Sequence, residues 1–527
     1  MNNKNLLTKL AVASLLLLQV HWALSYDPAA YKDPHYVDGR TTMVHLFEWK
    51  FKDIAKECER FLGPMGFAGV QVSPINENLV IPGRPWYERY QPMSYKIITR
   101  SGNEDEFADM VNRCNKVGVR IYVDAVINHM TMGAQATAVG TGGSSAEPAK
   151  RLFPGVPYGP SDFNAPCTIA NYQNGTEVRD CDLSGLQDLN QGKEYVREKI
   201  VEFFNRAIDH GIAGFRVPIV PNVHRIDAAK HMWPADLKAI YGGTKNLRSD
   251  VFGENKRPFI FQEVIDVSGN EGVKKWQYND LGDVIEFSFG IQIGSFFRGW
   301  EDLSHLQHWG FSDRGLLPSN DVVVMVDNHD NQRGHGAGGD AILNYKNPRL
   351  YKMAITFMLA HPYGHTRVMS SFDFSDPSQG PPADSKGNII SPDPITGNVA
   401  SGADANACGH GWVCEHRWSQ IYGMVGFRNV VQNETLINWW SNGQNQIAFS
   451  RGNRGFAAFN GQYGVDLKQE LQTGLPAGDY CDVISGRKVN GKCTGKTVKV
   501  NNDGKAYIEI LKDEADGALV IHAETKL

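Results

Sequence analysis

Apolar runs that end in acid or amide recur along the chain. Three are Ile121-Tyr122-Val123-Asp124-Ala125-Val126-Ile127-Asn128-His129, Phe259-Ile260-Phe261-Gln262-Glu263 and Val323-Val324-Met325-Val326-Asp327-Asn328-His329-Asp330. A fourth, Arg225-Ile226-Asp227-Ala228-Ala229-Lys230-His231-Met232, starts as a strand and turns polar at its end. Residues two apart in a strand share a face, so Arg225 and Asp227 point the same way. Apolar strands with polar tips at one end suit a parallel barrel whose chemistry sits at its C-terminal rim.

The same patterning predicts the other elements. Strands are expected over 41–49, 66–72, 120–127, 283–290, 321–330 and 366–370, and helices over 53–61, 104–117, 192–210 and 351–359. Residues 128–188 are rich in Gly, Pro, Ser and Asn; a loop that long is normally functional or a small subdomain. Gly334-His335-Gly336-Ala337-Gly338-Gly339 should be mobile, because glycine removes backbone restraint. From about Asn433 the pattern changes to short alternating segments at 446–450, 455–460, 497–500, 506–510 and 518–522, which predict a separate antiparallel β-domain.

At 527 residues the chain is long enough for one large barrel with additions. Lys4 and Lys9 precede an apolar run from Leu10 to Val20, and Ala23-Leu24-Ser25 offers small residues for cleavage. Residues 1–25 therefore read as a secretory signal, too short for a comfortable membrane span, with an uncleaved anchor as the alternative. Without them 51 basic residues face 58 acidic ones. That balance, and the lack of any basic run, gives no support for a nucleic-acid partner. A secreted, extracellular chain with no membrane partner is expected. In that setting eight cysteines suggest disulfides of open connectivity, and the lack of Cys-x-x-Cys argues against zinc. Asn174-Gly175-Thr176 and Asn433-Glu434-Thr435 are glycosylation sequons.

Acids at the ends of three predicted strands, Asp227, Glu263 and Asp330, are more specific than a lone acid, which is usually a cap or a surface charge. Glycoside hydrolysis needs two carboxyl groups across the scissile bond. Aromatic planes in Arg84-Pro85-Trp86-Tyr87-Glu88-Arg89-Tyr90-Gln91-Pro92 can stack on sugar rings; Trp86 and Tyr90 as core aromatics is the alternative, and the proline-flanked loop context favours sugar contact.

With these motifs in this order, nearly everything after residue 25 resembles the animal-type, calcium- and chloride-dependent alpha-amylases. The resemblance implies an α/β fold: a (β/α)8 TIM barrel over 26–127 and 191–432, a loop-rich domain B over 128–190 after strand 3, and a C-terminal antiparallel β-sandwich over 433–527. It implies Asp227 as nucleophile, Glu263 as acid/base and Asp330 as stabiliser of the distorted sugar. Retention is expected, with the first two carboxyls about 5–5.5 Å apart. Trp86, Tyr87, Tyr90, Gln91, His129, Lys230, His329 and His335 would contact starch, glycogen or malto-oligosaccharides. Tyr87 stands where the family usually has a second tryptophan. Calcium would take Asn128, the Arg179 carbonyl, Asp188 and the His231 carbonyl. Chloride would take two arginines and an asparagine; Asn328 and Arg367 match two of the three. The implied disulfides are Cys58–Cys114, Cys167–Cys181, Cys408–Cys414 and Cys481–Cys493, and a monomer is expected.

The chain departs from the family at its central strand. The family reads Gly-Phe-Arg, one residue, then Asp. Here Gly214-Phe215-Arg216 is followed by nine further residues, Val217 to Arg225, before Ile226-Asp227. Either Phe215 and Arg216 keep the strand and the insert follows them, or 222–227 is the strand and Arg225 takes the chloride position. Loop insertion is cheap, and Pro221 would fall at a strand start, so the second placement is favoured. Arginine at both borders is also what a retained short intron or splice slip could leave. Three functions follow: an endo-acting α-1,4-glucan hydrolase, a secreted glucan-binding protein impaired by the insert, and a transglycosylase.

Overall fold

A computed structural model describes residues 26–218, 229–310, 314–393 and 408–527. Eight parallel strands close a barrel: β1 (Thr42–Leu46), β2 (Gly69–Val72), β3 (Arg120–Asp124), β4 (Gly214–Val217), β5 (Phe259–Gln262), β6 (Asp283–Ile285), β7 (Val322–Val324) and β8 (His365–Ser370). Each strand pairs with its sequence neighbours, and β1 closes on β8 with Thr42 opposite Thr366. The strands are apolar on both faces because the barrel interior and the surrounding helices each bury one. The helices at Glu104–Lys116, Glu194–Asp209 and Pro348–Ala360 lie close to their expected places.

Two expectations are overturned. The first is the placement of the central strand. Gly214-Phe215-Arg216-Val217 is β4, hydrogen-bonded between β3 and β5 with Gly214 opposite Phe259. A Cβ built on Gly214 would lie 2.1 Å from the Phe259 carbonyl oxygen. The alternative register would put Val223 there, and its side chain has no space. Phe215 also stacks on Phe204 with ring centroids 4.0 Å apart. Close approach of two backbones, not the cost of a loop, selects the strand. Arg216 therefore holds the strand position expected of Arg225. Arg225 and Asp227 lie outside the described residues.

The second is the segment 283–290, expected as one strand. The strand ends at Ile285, and a helix runs Phe287–Phe297. The Glu286 carboxylate accepts from the Ser288 amide at 3.2 Å, which caps that helix. Gly290 lets the helix approach the Val326 carbonyl, which a Cβ would meet at 2.5 Å. On that helix Phe287 and Phe289 point to different sides and are buried in two separate clusters of the core.

Between β3 and β4 the chain makes an irregular excursion. It holds short antiparallel pieces and a helix at Gly175–Asp180, and Cys167–Cys181 ties it. The other three disulfides also match the implied pairs: Cys58–Cys114, Cys408–Cys414 and Cys481–Cys493. After the barrel two four-stranded antiparallel sheets pack face to face around Ala448, Phe456, Leu471, Ile508 and Ile521. No helix among the described residues is long and apolar enough to cross a membrane.

Candidate active site at the barrel rim

Four barrel strands deliver the charged groups. Arg216 on β4 stands between Asp124 at the end of β3 and Glu263 just after β5. Its Nη1 donates to both Asp124 oxygens at 2.8 Å, and its Nη2 donates to Glu263 Oε2. All three side chains are fully buried. Burial alone would lower the Arg216 pKa, but Asp124 and Glu263 hold it above the ordinary value. Burial raises Asp124, and Arg216 opposes that rise. Breaking a buried ion pair by removing one partner costs about 3–5 kcal/mol. Arg216 is thereby fixed in β4. The sequence signal for Asp124 is its position at the tip of an apolar strand.

Asp330 follows β7 and is buried. Burial, then the nearby negative charge of Glu263, pushes its pKa well above the carboxylate range. His329 Nε2 lies 3.3 Å from Asp330 Oδ2. The His329 ring is boxed by Phe47, Tyr90 and Trp86 at 4.9, 5.3 and 5.3 Å. Burial, and then Arg216, holds its pKa well below the usual value, so its contact with Asp330 is that of a neutral ring. Arg333, which the sequence reading passed over, packs its guanidinium over Phe374 at 4.3 Å and donates to the His329 carbonyl at 3.1 Å. It braces the turn that carries His329 and Asp330.

The substrate candidates divide by exposure. Trp86 and Tyr90 are fully buried. The Trp86 indole donates to the Pro377 carbonyl at 2.8 Å, and the Tyr90 hydroxyl donates to Asp124 at 2.8 Å. Both form the wall beneath His329. Gln91 accepts from the Thr131 hydroxyl at 2.7 Å and the Met132 amide at 3.3 Å, which anchors the start of the excursion. His129 is buried against the Tyr90 carbonyl at 3.1 Å, and burial lowers its pKa to about 4. Lys230 donates to the Ile265 carbonyl at 3.0 Å and reaches Glu271 at 3.4 Å. Tyr87 and His335 are half-buried.

The calcium candidates fall on adjoining segments. The Leu189 amide donates to the Asn128 carbonyl at 3.0 Å, and Asp188 sits opposite His129 in an antiparallel pair. The His231 ring meets the Val178 carbonyl, next to Arg179. Asn128 Oδ1 and Asp188 Oδ1 are buried oxygens without hydrogen-bond partners. Orphaned acceptors of this kind fit a hard cation. Among the described residues no cluster of three or more His, Cys, Asp or Glu could hold a metal, so such a site would rely on amide and carbonyl oxygens around the one carboxylate.

The anion candidates fit in the opposite sense. Arg216 Nε, Asn328 Nδ2 and Gln71 Nε2 are buried donors without partners. Arg367 donates to Gln71 at 2.6 Å, and burial, then the charge of Arg216, lowers its pKa to about 10. Two like charges and three idle donors suit a small anion. With Arg216 in β4, the set is Arg216, Asn328 and Arg367.

Strand-end acids on a closed parallel barrel, an aromatic wall and an appended β-domain define a glycoside hydrolase of the barrel class. Residues 59–365 match the model "Alpha amylase, catalytic domain", and residues 437–524 match "Alpha amylase, C-terminal all-beta domain". The chain belongs to the alpha-amylase family. An alpha-amylase from Tenebrio molitor is 56% identical over 497 residues, covering 94% of this chain and all of that protein. An alpha-amylase-related protein from Drosophila melanogaster is 54% identical over 500 residues, covering 94% of this chain and 96% of that protein. Among solved structures, a glutamate-to-glutamine variant of alpha-amylase I from Eisenia fetida in complex with maltohexaose superposes with a TM-score of 0.85. It is 41% identical, with 93% of this chain and 98% of that one covered.

Proposed function

We propose that this protein is a secreted alpha-amylase that cleaves internal α-1,4 bonds of starch and glycogen with retention of configuration. The observation that carries this reading is the convergence of Glu263 and Asp330 beside Arg216 at the end of a closed barrel. Glu263 protonates the leaving oxygen and later activates water. Asp227 attacks the anomeric carbon, and Asp330 with His329 holds the sugar at the scissile bond. The maltohexaose bound to the Eisenia fetida relative supports a malto-oligosaccharide substrate. An anion between Arg216 and Arg367 would weaken their pull on the Glu263 proton. The test is turnover of soluble starch by the full-length chain with calcium and chloride, following reducing ends and the anomer first formed. Release of the α-anomer from internal cleavage is expected. Binding of starch without release of reducing ends would instead establish the impaired, glucan-binding reading.

Calcium, held by Asn128, Asp188 and the carbonyls of Arg179 and His231, would join the excursion to the segment after β4. Chelation should lower the thermal midpoint and expose residues 128–190 to limited proteolysis before the barrel is cut. The first effect follows from mass action on a ligand that binds only the folded state. An unchanged midpoint and cleavage pattern in chelator would remove calcium from the assignment.

A further inference from the structure

One buried acid near the rim has no part in the chemistry described so far. Glu415 begins the short turn Glu415–Arg417 and is fully buried. Its neighbours anchor that turn. His416 meets the Ser370 hydroxyl at 2.9 Å and Glu57 at 2.8 Å, and Arg417 Nε donates to Glu57 at 2.7 Å. Glu415 itself engages Ser371, the residue after β8. The Ser371 amide donates to Glu415 Oε2 at 2.6 Å, and the Ser371 hydroxyl contacts Glu415 Oε1. The same hydroxyl lies 2.9 Å from Gln332 Oε1.

Counting hydrogens constrains this set. A hydroxyl has one hydrogen, and an amide oxygen and an ionised carboxylate only accept. Ser371 satisfies both contacts only when Glu415 carries a proton and donates it to the Ser371 oxygen, while Ser371 donates to Gln332. Ionising Glu415 turns the Ser371 hydrogen back to the carboxylate and leaves Gln332 Oε1 without its donor. Burial raises the Glu415 pKa to about 7, opposed by the hydrogen bonds from Ser371 and then by the charge of Arg333. Asp327, Tyr351 and Tyr345 also face Glu415, and burial pushes all three above their ordinary values, so they stay neutral in this range. On the turn itself burial holds His416 below its usual value, and Arg417 is paired with Glu57.

Gln332 lies in the turn that carries Asp330. Its amide donates to the Asn328 carbonyl at 3.2 Å, and the amides of Arg333 and His335 donate to the Asp330 carbonyl at 2.9 and 3.1 Å. We propose that Glu415, acting through Ser371 and Gln332, is a positioning residue that sets the place of Asp330 and does so only while it holds its proton. This role rests on the alpha-amylase reading, in which Asp330 meets the sugar at the scissile bond. A misplacement of about 1 Å costs about a hundredfold in rate, so loss of the relay is measurable.

The test is kcat on soluble starch at about pH 6 and about pH 8 for the full-length parent, Glu415→Gln and Ser371→Ala, with thermal melts to confirm folding. Glutamine keeps a donor toward Ser371 at every pH. The ratio of Glu415→Gln to parent should therefore rise about tenfold over that span, because the Glu415 proton, with its pKa of about 7, is mostly held at the lower pH and mostly lost at the higher. Taking the ratio cancels the ionisation of Glu263, which both chains share. Ser371→Ala cuts the relay, so it should be slower than the parent at the lower pH and approach it at the higher. Should Glu415→Gln fail to fold, the Ser371→Ala comparison decides. A Glu415→Gln ratio constant across the span, or a Ser371→Ala variant as fast as the parent at the lower pH, would overturn the role. A parent with no turnover at either pH would instead remove the hydrolase reading, and the role with it.

Discussion

Deleting Val217 to Arg225 should leave the barrel closed and raise starch turnover by about a hundredfold. The ladder itself supplies the reason. The Glu263 amide donates to the Val217 carbonyl at 3.1 Å, and the Ala229 amide donates to the Glu263 carbonyl at 3.0 Å. In a regular parallel ladder the two residues that grip one partner residue are two apart. Here they are twelve apart in sequence, although both hold Glu263. The deletion brings Ile226 into the place of Val217 and leaves Asp227 and Ala228 to span the gap. Two residues are ample for that distance, since three chain steps reach about 10 Å. Ile for Val at this buried strand position adds one methylene, which costs about 1–3 kcal/mol. Asp227 would then follow β4 directly, beside Glu263. A misplacement of even 1 Å costs about a hundredfold in rate, which sets the expected gain. The measurement is kcat on soluble starch for both chains, with circular dichroism to confirm folding. An unfolded deletion variant, or one slower than the full chain, would show that the nine residues belong to the working site. Messages that carry all nine codons in abundance would separately defeat the intron reading.

Glu263→Gln should lower turnover by about a thousandfold or more, since a positioned acid/base contributes about 10²–10⁴. The amide keeps the shape of the side chain but holds no transferable proton. It also removes one of the two carboxylates that face Arg216, so the variant should melt at a lower temperature than the parent while Asp124 retains the arginine. Binding of maltohexaose should survive, because the amide fills the volume of the carboxylate and leaves the buried packing of Phe47, Trp86 and Tyr90 behind His329 in place. Comparing kcat with the dissociation constant of that sugar separates the two effects. Turnover within tenfold of the parent would remove Glu263 from the acid/base role and the proposed mechanism with it.

Most of the architecture was legible in the chain. Apolar runs located seven of the eight barrel strands, because both faces of each are buried and the tips turn polar to meet the rim, and helical spacing located several helices. The short antiparallel segments after residue 433 were legible from alternation, as in Lys505–Ile510, whose residues are buried and exposed in turn, but Leu436–Ser441, Leu467–Gln472 and Gly478–Cys481 gave no such signal. The segment from Asp283 was misread because Phe287 and Phe289 alternate like a strand while lying on a helix. Asp124 carried only its place at a strand tip as a signal, and Gln71 and Arg333 had no local signal of function. Their roles come from what they face across the barrel.

By itself the sequence determined the class of fold, the disulfide-bearing character of the chain, and the acids that could do its chemistry, because hydrophobic period and residue type are local properties. Which of two arginines stands in the central strand was decided only in three dimensions. Gly214 must lie against the Phe259 backbone, where any side chain would collide, and Arg216 must reach Asp124 and Glu263 at once. Those constraints join residues far apart in the chain, and only tertiary packing imposes them.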